Sequence, residues 1–382
     1  MTMAGTQAHE GGTGRFGQLR VVAKTVESSL ITSFLLEAAD GSALPAFRPG
    51  QFLVLKVPVP NGTGHVLRNY SLSGSPDVLA RYRISVKREG APDPDVPAGL
   101  VSAHLHDSVA VGDVIAAEGP RGAFVLDETS GRPVVLLSGG VGLTPMVAML
   151  HRLTAGSRRR CLFVHACENG VVHALREEVE ALVAQRPGLT AHFCYRSPTE
   201  ADRASRRYDT EGVIDKALLQ QLLCLDDYDV YLCGPPPFMK AVYGTLRDLG
   251  VARDRIAYEF FGPATVLDAE AAKPEAQVPA QAPAQAPAQA RPVVALTGAV
   301  SVEFTKSGGR ADWKPDSHSL LDFAEAQGLK PEFSCRAGIC GTCVTRITSG
   351  EVEYFEEPLE ELAPGEVLLC CSRPTTDVVL EL

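Results

Sequence analysis

Between Gln277 and Ala290 the chain reads QVPAQAPAQAPAQA, a Pro/Ala/Gln repeat from which no core can be built. Whatever folds on either side folds separately, joined by an extended, semi-stiff connection. With its flanks the stretch covers about 25 residues, which at ~3 Å per residue in polyproline geometry spans up to ~75 Å. The full 382 residues also exceed what one compact core fills, so two or three modules are expected. No other internal repeat is visible, which excludes a solenoid.

Apolar residues make up 45% and charged residues 21%, as in a globular chain, and no apolar run reaches the length of a bilayer-spanning helix. The N-terminus, MTMAGTQAHEGGTGRFG, has neither a basic n-region nor an apolar h-region. A soluble, cytoplasmic protein without membrane insertion is expected. Of ten cysteines, Cys161, Cys167, Cys194, Cys224 and Cys233 stand singly and five cluster near the C-terminus, which argues against a disulfide framework. Net charge is −10, and from Arg291 onward 15 acidic and 8 basic residues leave −7. Such a balance disfavours nucleic acid and suits steering toward a basic protein partner.

Three patterns follow one another. From Phe16 to about Leu126, short alternating apolar runs (QLRVVAKTV, SLITSFLLEA, GQFLVLKV, RYRISVKR, DVIAAEG) are broken by Gly, Pro and Asp, which predicts a small antiparallel β-barrel. From Pro133, buried strands alternate with helical stretches (PVVLLSG then TPMVAMLHRL, CLFVHAC then HALREEVEALVAQ, DVYLCG then PPFMKAVYGTLRDLG), the pattern of a doubly wound α/β parallel sheet. After Arg291 come two early strands, a helix near Leu320 to Gln327, the cysteine cluster and a terminal strand, TDVVLEL, predicting a compact α+β domain of the β-grasp type.

In that last module Cys335, Cys340 and Cys343 stand in FSCRAGICGTC, with Cys370 and Cys371 following in LLCCSRP. Thiolates hold iron–sulfur clusters, and C-x4-C-x2-C with a distant fourth cysteine is the plant-type [2Fe-2S] spacing. Gly338 and Gly341 suit a tight loop whose amides turn toward cluster sulfurs. A zinc site expects paired C-x2-C knuckles, and only Cys340 and Cys343 are so spaced. The spacing leaves Cys370 and Cys371 both open as the fourth ligand.

Two further sites lie upstream. RNYSLS puts Arg68, Tyr70 and Ser71 at a barrel strand end, where arginine clamps phosphate, tyrosine packs on an aromatic ring and serine bonds its edge. Alone, such a string reads equally as an exposed strand end. Downstream, Gly99, Val101 and Ser102 open a helix whose amides suit a pyrophosphate. SGGVGLTPM follows the strand PVVLL and enters a helix, so Gly139, Gly140, Val141, Gly142, Leu143 and Thr144 form a turn that lets backbone approach a dinucleotide. At a second strand end, YLCGPPPFM offers Cys233, Gly234 and Pro235 to line a nicotinamide pocket, and two such ends converge on one crevice in an open parallel sheet. Arg196, Arg203, Arg206 and Arg207 are candidates for a 2′-phosphate and equally read as a solvated loop, so the balance leans slightly to NADH over NADPH.

From about Phe16 to Leu267 the chain resembles the ferredoxin–NADP reductase superfamily, and within it the reductase half of flavohemoglobins. The likeness lies in RPGQF, RNYSLS, RYRISVKREG, SGGVGLTPM, VHACENG-VVHAL, YRSPTEADR, YLCGPPPFM and AYEFFGP. It implies that Arg68, Asn69, Tyr70 and Ser71, with Lys87 of RYRISVKREG, contact FAD. Phe52 and the segment Phe260, Phe261, Gly262 and Pro263 would complete the pocket, with Glu259 at the flavin edge near the hydride path unless it is a solvated carboxylate. Tyr70, Ser71, Cys233 and Glu259 are then the residues nearest the chemistry. His165 and His173 recur in the resemblance and are assigned to ordering the fold. The C-terminal segment resembles plant-type ferredoxins, where a leucine-led cysteine precedes two variable residues, and this match selects Cys370 and leaves Cys371 a packed bystander. The domains are then 1–15, a disordered N-terminus; 16–127, FAD-binding barrel; 128–265, NAD(P)-binding; 266–292, linker; and 293–382, [2Fe-2S] ferredoxin domain.

Together these parts imply hydride transfer from NADH or NADPH to FAD, then single-electron steps through a cluster near −400 mV in the plant type, suited to an oxygenase, hydroxylase or haem-protein acceptor. The order of modules also resembles the phthalate dioxygenase reductase type, which uses FMN, but the closer local match favours FAD. Two alternatives stand beside this: a nitric oxide dioxygenase-type reductase acting with a separate globin, since only about fifteen residues precede the barrel, and a redox-sensing binding module. The carboxylate-rich stretch Glu351 to Leu362 is a candidate docking face or a plain solvated run.

Overall fold

The computed structural model describes residues 16–58, 65–90, 99–261, 300–314, 317–333, 338–339, 341–359 and 361–382. The chain divides into two compact units, Met1–Phe261 and Gly262–Leu382. The segment 1–15 and the whole Pro/Ala/Gln stretch lie outside the described residues.

The first unit opens with strands β1 (Gly17–Val26), β2 (Ile31–Ala38), β3 (Phe52–Pro58), β4 (His65–Ser71) and β5 (Tyr82–Lys87), helix α1 (Leu100–Asp107) and strand β6 (Val114–Arg121). They form one antiparallel sheet in the order β4-β3-β6-β1-β2-β5. A bridge between Leu72 and Ile84 ties the end of β4 back to β5 and closes the barrel. The alternating apolar residues Val21, Phe34, Leu36, Leu53, Leu55 and Ile84 fill its interior. Helix α1 is bolted at its C-terminal end by Lys24, whose Nζ donates to the carbonyls of Leu105, His106 and Val109 at 3.2, 2.7 and 2.7 Å.

The same unit continues with β7 (Val134–Gly139), α2 (Leu143–Gly156), β8 (Cys161–Cys167), α3 (Arg176–Val183), β9 (Leu189–Tyr195), α4 (Glu200–Ser205), β10 (Thr210–Glu211), α5 (Lys216–Leu222), β11 (Asp229–Gly234), α6 (Pro236–Asp248) and β12 (Ile256–Phe260). The sheet is wholly parallel, in the order β10-β9-β8-β7-β11-β12. Chain order reverses between β7 and β11, so the crevice beyond the carboxyl ends of these two strands is the ligand position of an open sheet. Barrel and sheet share a seam. Ile31 and Leu126 pack into the sheet's core, and Ala148 of α2 packs into the barrel's. At Gly50, with φ +107°, an added Cβ would lie 2.0 Å from the Phe124 carbonyl and 2.8 Å from Met149 Cε, so only glycine lets α2 approach here.

The second unit contains β13 (Ser301–Phe304), β14 (Gly309–Asp312), α7 (Leu320–Ala326), β15 (Val344–Ser349), β16 (Val352–Tyr354), β17 (Glu366–Leu368), β18 (Ser372–Pro374) and β19 (Val378–Leu380). Five strands form a mixed sheet, β14-β13-β19-β15-β17, with β13 and β19 parallel, and β16 pairs β18 alongside. Leu320, Leu321, Phe323 and Ala324 bury the apolar face of α7 in this core. The expected early strands, helix and last strand are present. The structure adds β15 to β18, most of them three residues long and too short to show an alternating pattern. Among the described residues no helix is long and apolar enough to cross a membrane.

Candidate functional site

On the barrel, β3 and β4 pair so that Phe52 faces Ser71, Leu53 faces Tyr70, Val54 faces Asn69 and Leu55 faces Arg68. Ser71 is buried and its Oγ has no hydrogen-bond partner among the described residues. An orphaned buried hydroxyl costs stability unless a ligand satisfies it, so this strand end fits a group with a polar edge. Tyr70 is half-buried, and burial pushes its phenol well above the usual range, so it stays protonated. Asn69 and Arg68 are exposed, with Arg68 Nη1 donating to the Leu67 carbonyl at 2.8 Å. The Phe52 ring is buried over Gly122, where an added Cβ would meet it at 2.7 Å.

Helix α1 starts at Gly99 with no side-chain cap and no acidic residue in its first turn, which leaves its first amides open to an anion. Ser102 Oγ is committed to the protein: it donates to the Gly99 carbonyl at 3.0 Å and accepts the Glu89 amide at 3.1 Å. Its hydroxyl therefore shapes the turn, while the backbone around it, beside buried Val101, fits a pyrophosphate. Lys87 pairs with Glu89 at 3.1 Å on the surface.

Across the seam, the turn after β7 is built on glycines. Gly140 takes φ +53°, and a Cβ at Gly142 would lie 2.3 Å from the Cys233 carbonyl, so the turn presses directly on the end of β11. Thr144 Oγ1 donates to the Val141 carbonyl at 3.0 Å, and Leu143 is buried under the helix start. No side chain caps α2 and its first turn carries no acid; the Leu143 amide is taken by the carbonyls of the glycine turn, so it is the turn's own backbone that suits a phosphate. Phe238 was not expected from sequence. Its ring lies against Gly139 and Gly234 and walls the crevice on the β11 side, while Pro235 is exposed at the mouth. The signal was present in PPPFM, four residues beyond Gly234, but only the fold brings the ring back over Gly139.

Cys233 and Gly234 on β11 lie in register with Glu259 and Phe260 on β12. Cys233 is fully buried, and burial with the nearby Glu259 carboxylate pushes its thiol well above the usual range, so it is a poor nucleophile. Glu259 Oε2 is buried without a partner among the described residues, and burial raises the carboxyl to about 8. The side chain as a whole is half-buried, and this shift favours its protonated form near pH 7. Phe261 packs against the core of the parallel sheet, whereas Gly262 and Pro263 lie outside the described residues.

Behind the crevice, His165 Nδ1 lies 2.9 Å from Ser138 Oγ and His173 Nδ1 lies 2.9 Å from Tyr195 OH, with the two rings 4.8 Å apart. Burial lowers them to about 4 and about 2, so both are neutral. Of the candidate arginines, Arg203 pairs with Glu211 at 2.7 Å and Arg207 with Glu177, while Arg196 and Arg206 are exposed.

In the second unit Cys343 and Cys370 are buried, and the Gly338 amide donates to Cys370 Sγ at 3.3 Å. Amide donors on a buried sulfur are what a thiolate ligand of a cluster needs. Gly338 and Gly341 take φ +68° and +71°. Cys371 is buried too, with Sγ directed to the Leu368 carbonyl at 3.8 Å and packed so closely on Gly338 that an added Cβ would meet it at 3.0 Å. Cys335 and Cys340 lie outside the described residues.

Comparison with known proteins agrees with this geometry. Residues 18–126 match an oxidoreductase FAD-binding domain, 136–243 an oxidoreductase NAD-binding domain and 304–375 a 2Fe-2S iron–sulfur cluster binding domain. The flavohemoprotein of Bordetella pertussis is 46% identical over 264 residues, 69% of this chain, and the chain spans 65% of that protein's length. The FAD/NAD-binding domain of nitric oxide dioxygenase from Vibrio cholerae is 38% identical with a TM-score of 0.58, over 65% of this chain and 99% of the domain. Phthalate dioxygenase reductase, at 24% identity and a TM-score of 0.53, shares the fold over 96% of this chain and 98% of its own. The chain thus belongs to the ferredoxin–NADP reductase superfamily, as an oxidoreductase whose FAD-binding and NAD-binding domains are homologous to the matching part of flavohemoproteins and are followed by a [2Fe-2S] domain.

Proposed function

We propose that this protein is an electron-transfer reductase in which bound FAD takes a hydride from NADH or NADPH and supplies single electrons to the [2Fe-2S] cluster, for delivery to an oxygenase, hydroxylase or haem protein. The observation that carries this is the convergence, in one unit, of the open Ser71 hydroxyl, the uncapped start of α1 and the glycine turn at the β7–β11 switch point, with a cluster-binding domain in the same chain. Arg68 and the open amides of the first turn of α1, that of Val101 among them, would hold the FAD phosphates, with Tyr70 packing on its ring system. Gly139, Gly140 and Gly142 let backbone approach the nicotinamide nucleotide, and Cys233, Gly234 and Phe238 wall it. Half-buried Glu259, protonated at neutral pH, keeps charge away from the reacting ring edges. Cys335, Cys340, Cys343 and Cys370 would ligate the cluster.

The test is anaerobic stopped-flow absorbance with NADH and, separately, NADPH. Flavin bleaching followed by loss of the cluster bands is expected with one nucleotide. A cluster that stays oxidised beneath a reduced flavin would remove the exit route from the proposal. A second reading is favoured by the 46% identity to a flavohemoprotein: nitric oxide dioxygenation together with a separate globin. In that case NADH-driven consumption of nitric oxide appears only when a haem protein is added.

A further inference from the structure

The seam between barrel and parallel sheet is largely apolar, yet charged pairs cross it: Arg152 of α2 meets Asp77 of the barrel at 3.0 Å on the surface, and a more buried constellation centres on Glu178. Arg83 of β5 donates both guanidinium arms to Glu178 of α3, at 2.7 and 2.8 Å, and His151 Nε2 of α2 lies 2.6 Å from the same carboxylate. On the barrel side Arg83 also holds Ser73, through Nη2 to its carbonyl at 2.5 Å and Nε to its hydroxyl at 3.2 Å, while the Ser73 amide donates to the Arg83 carbonyl at 2.8 Å. Ser73 stands two residues beyond Ser71, and α2 begins at the glycine turn after β7. One guanidinium thus connects the segment just beyond the flavin strand end with α3 and, through Glu178 and His151, with α2, the helix that begins at the nucleotide turn.

We propose that Arg83, Glu178 and His151 form a clamp that fixes the register of the flavin-binding strand end against the nicotinamide-binding turn, making Arg83 and Glu178 positioning residues for hydride transfer. Apolar contacts such as those of Ile31, Leu126 and Met149 are non-directional and tolerate sliding. A bidentate guanidinium–carboxylate pair fixes both distance and angle. A partly buried ion pair adds little stability over apolar residues of similar volume, and fixing register is the best-attested use of such a pair. Glu178 is committed to the role: burial pushes its carboxyl up, but the hydrogen bonds from His151 and Arg83 and the Arg83 charge hold it at about 2. In the reaction a hydrogen nucleus and two electrons pass together from the nicotinamide, which is oxidised, to the flavin, which is reduced. A misplacement of about 1 Å between such partners costs about 10²-fold in rate.

The inference rests on the proposed placement of FAD and nicotinamide, and the experiment separates the two. In FAD-loaded full-length protein, Arg83→Gln, Glu178→Gln and Arg83→Lys are compared with wild type for limiting flavin reduction rate at saturating NADH, apparent nucleotide dissociation constant, FAD content and charge-transfer absorbance with NAD⁺. Both glutamine variants are expected to lose about 10- to 100-fold in limiting rate with a weakened charge-transfer band, at FAD content and dissociation constant within about twofold of wild type, and Arg83→Lys to fall between. Glu178→Gln, which lies off the flavin strand, carries the test if Arg83→Gln loses FAD. Limiting rates that match wild type, or that fall only in step with FAD content, overturn the clamp. A wild-type flavin that neither NADH nor NADPH reduces overturns the functional reading itself.

Discussion

Glu259 titrates very differently in the folded and the unfolded chain. It ionises near 4.5 in the open chain and near 8 in the fold, because burial disfavours the carboxylate. Folding therefore retains its full Glu259 contribution below pH 4.5 and loses it progressively as pH rises toward 8, since over that window only the unfolded chain has released the proton. Glu259→Gln should abolish this slope. Thermal unfolding followed from pH 5 to 8 should show the variant gaining on wild type as pH rises; parallel curves would mean that the carboxylate is already satisfied. The buried histidines work in the opposite direction. His165, lowered from 6.5 to about 4, adds stability above pH 6.5 that is lost as pH falls toward 4, so acid sensitivity belongs to that side of the profile. Neither effect is legible from sequence, where a glutamate after Tyr258 and a histidine in VHAC reveal nothing of their burial. The cysteine pair shows the same limit: spacing cannot choose between Cys370 and Cys371, whereas the fold gives Cys370 Sγ the Gly338 amide and turns Cys371 Sγ to a carbonyl.

Among the elements, the turn joining β7 to α2 bears the most on nucleotide binding, and two of its glycines make different demands. Gly142 has no room, since a Cβ there would lie 2.3 Å from the Cys233 carbonyl, and backbone cannot step aside as a flexible side chain can. Gly140 has room, with nothing within 4 Å of an added Cβ, but a φ of +53°. Gly142→Ala should therefore displace the start of α2 from β11 and weaken NADH binding about 10-fold or more at unchanged FAD content. Gly140→Asn, which tolerates the left-handed region, should bind NADH nearly as wild type. Titrating FAD-loaded variants with nucleotide checks both, and equal behaviour of the two would break the argument. The existence of this turn could be read from SGGVGLTPM, as could the barrel from its alternating runs and the parallel sheet from its apolar ones. That the strand end carrying Cys233 converges on the same crevice could be read as well, but the direct press of Gly142 on the Cys233 carbonyl could not, because it depends on the exact placing of β11 beside β7. Arg83 and Glu178 are likewise 95 positions apart, and nothing local in RYRISVKREG marks its second arginine as a bridge.

At the scale of the whole molecule, the two compact units meet in the chain at Phe261 and Gly262, and the Pro/Ala/Gln repeat follows within the second. If electrons pass from the FAD-binding unit to the cluster-binding unit of the same chain, the tether sets the local concentration of one at the other. For a connection of this length that is of order millimolar, far above the micromolar concentration of a stopped-flow sample. Cluster reduction in the intact chain should then proceed at a rate independent of protein concentration. A chain cut within the repeat by an inserted protease site should instead show a rate proportional to concentration, slower by about 10²-fold or more at micromolar protein. Flavin reduction by NADH, which needs only the first unit, should be equal in cut and uncut samples and so reports that cleavage has left that unit intact. A cut sample whose cluster is still reduced at the uncut rate, whatever the dilution, would mean that the units hold together without the tether. A concentration-dependent rate in the intact chain would mean that electrons cross between molecules, and that the repeat serves spacing alone.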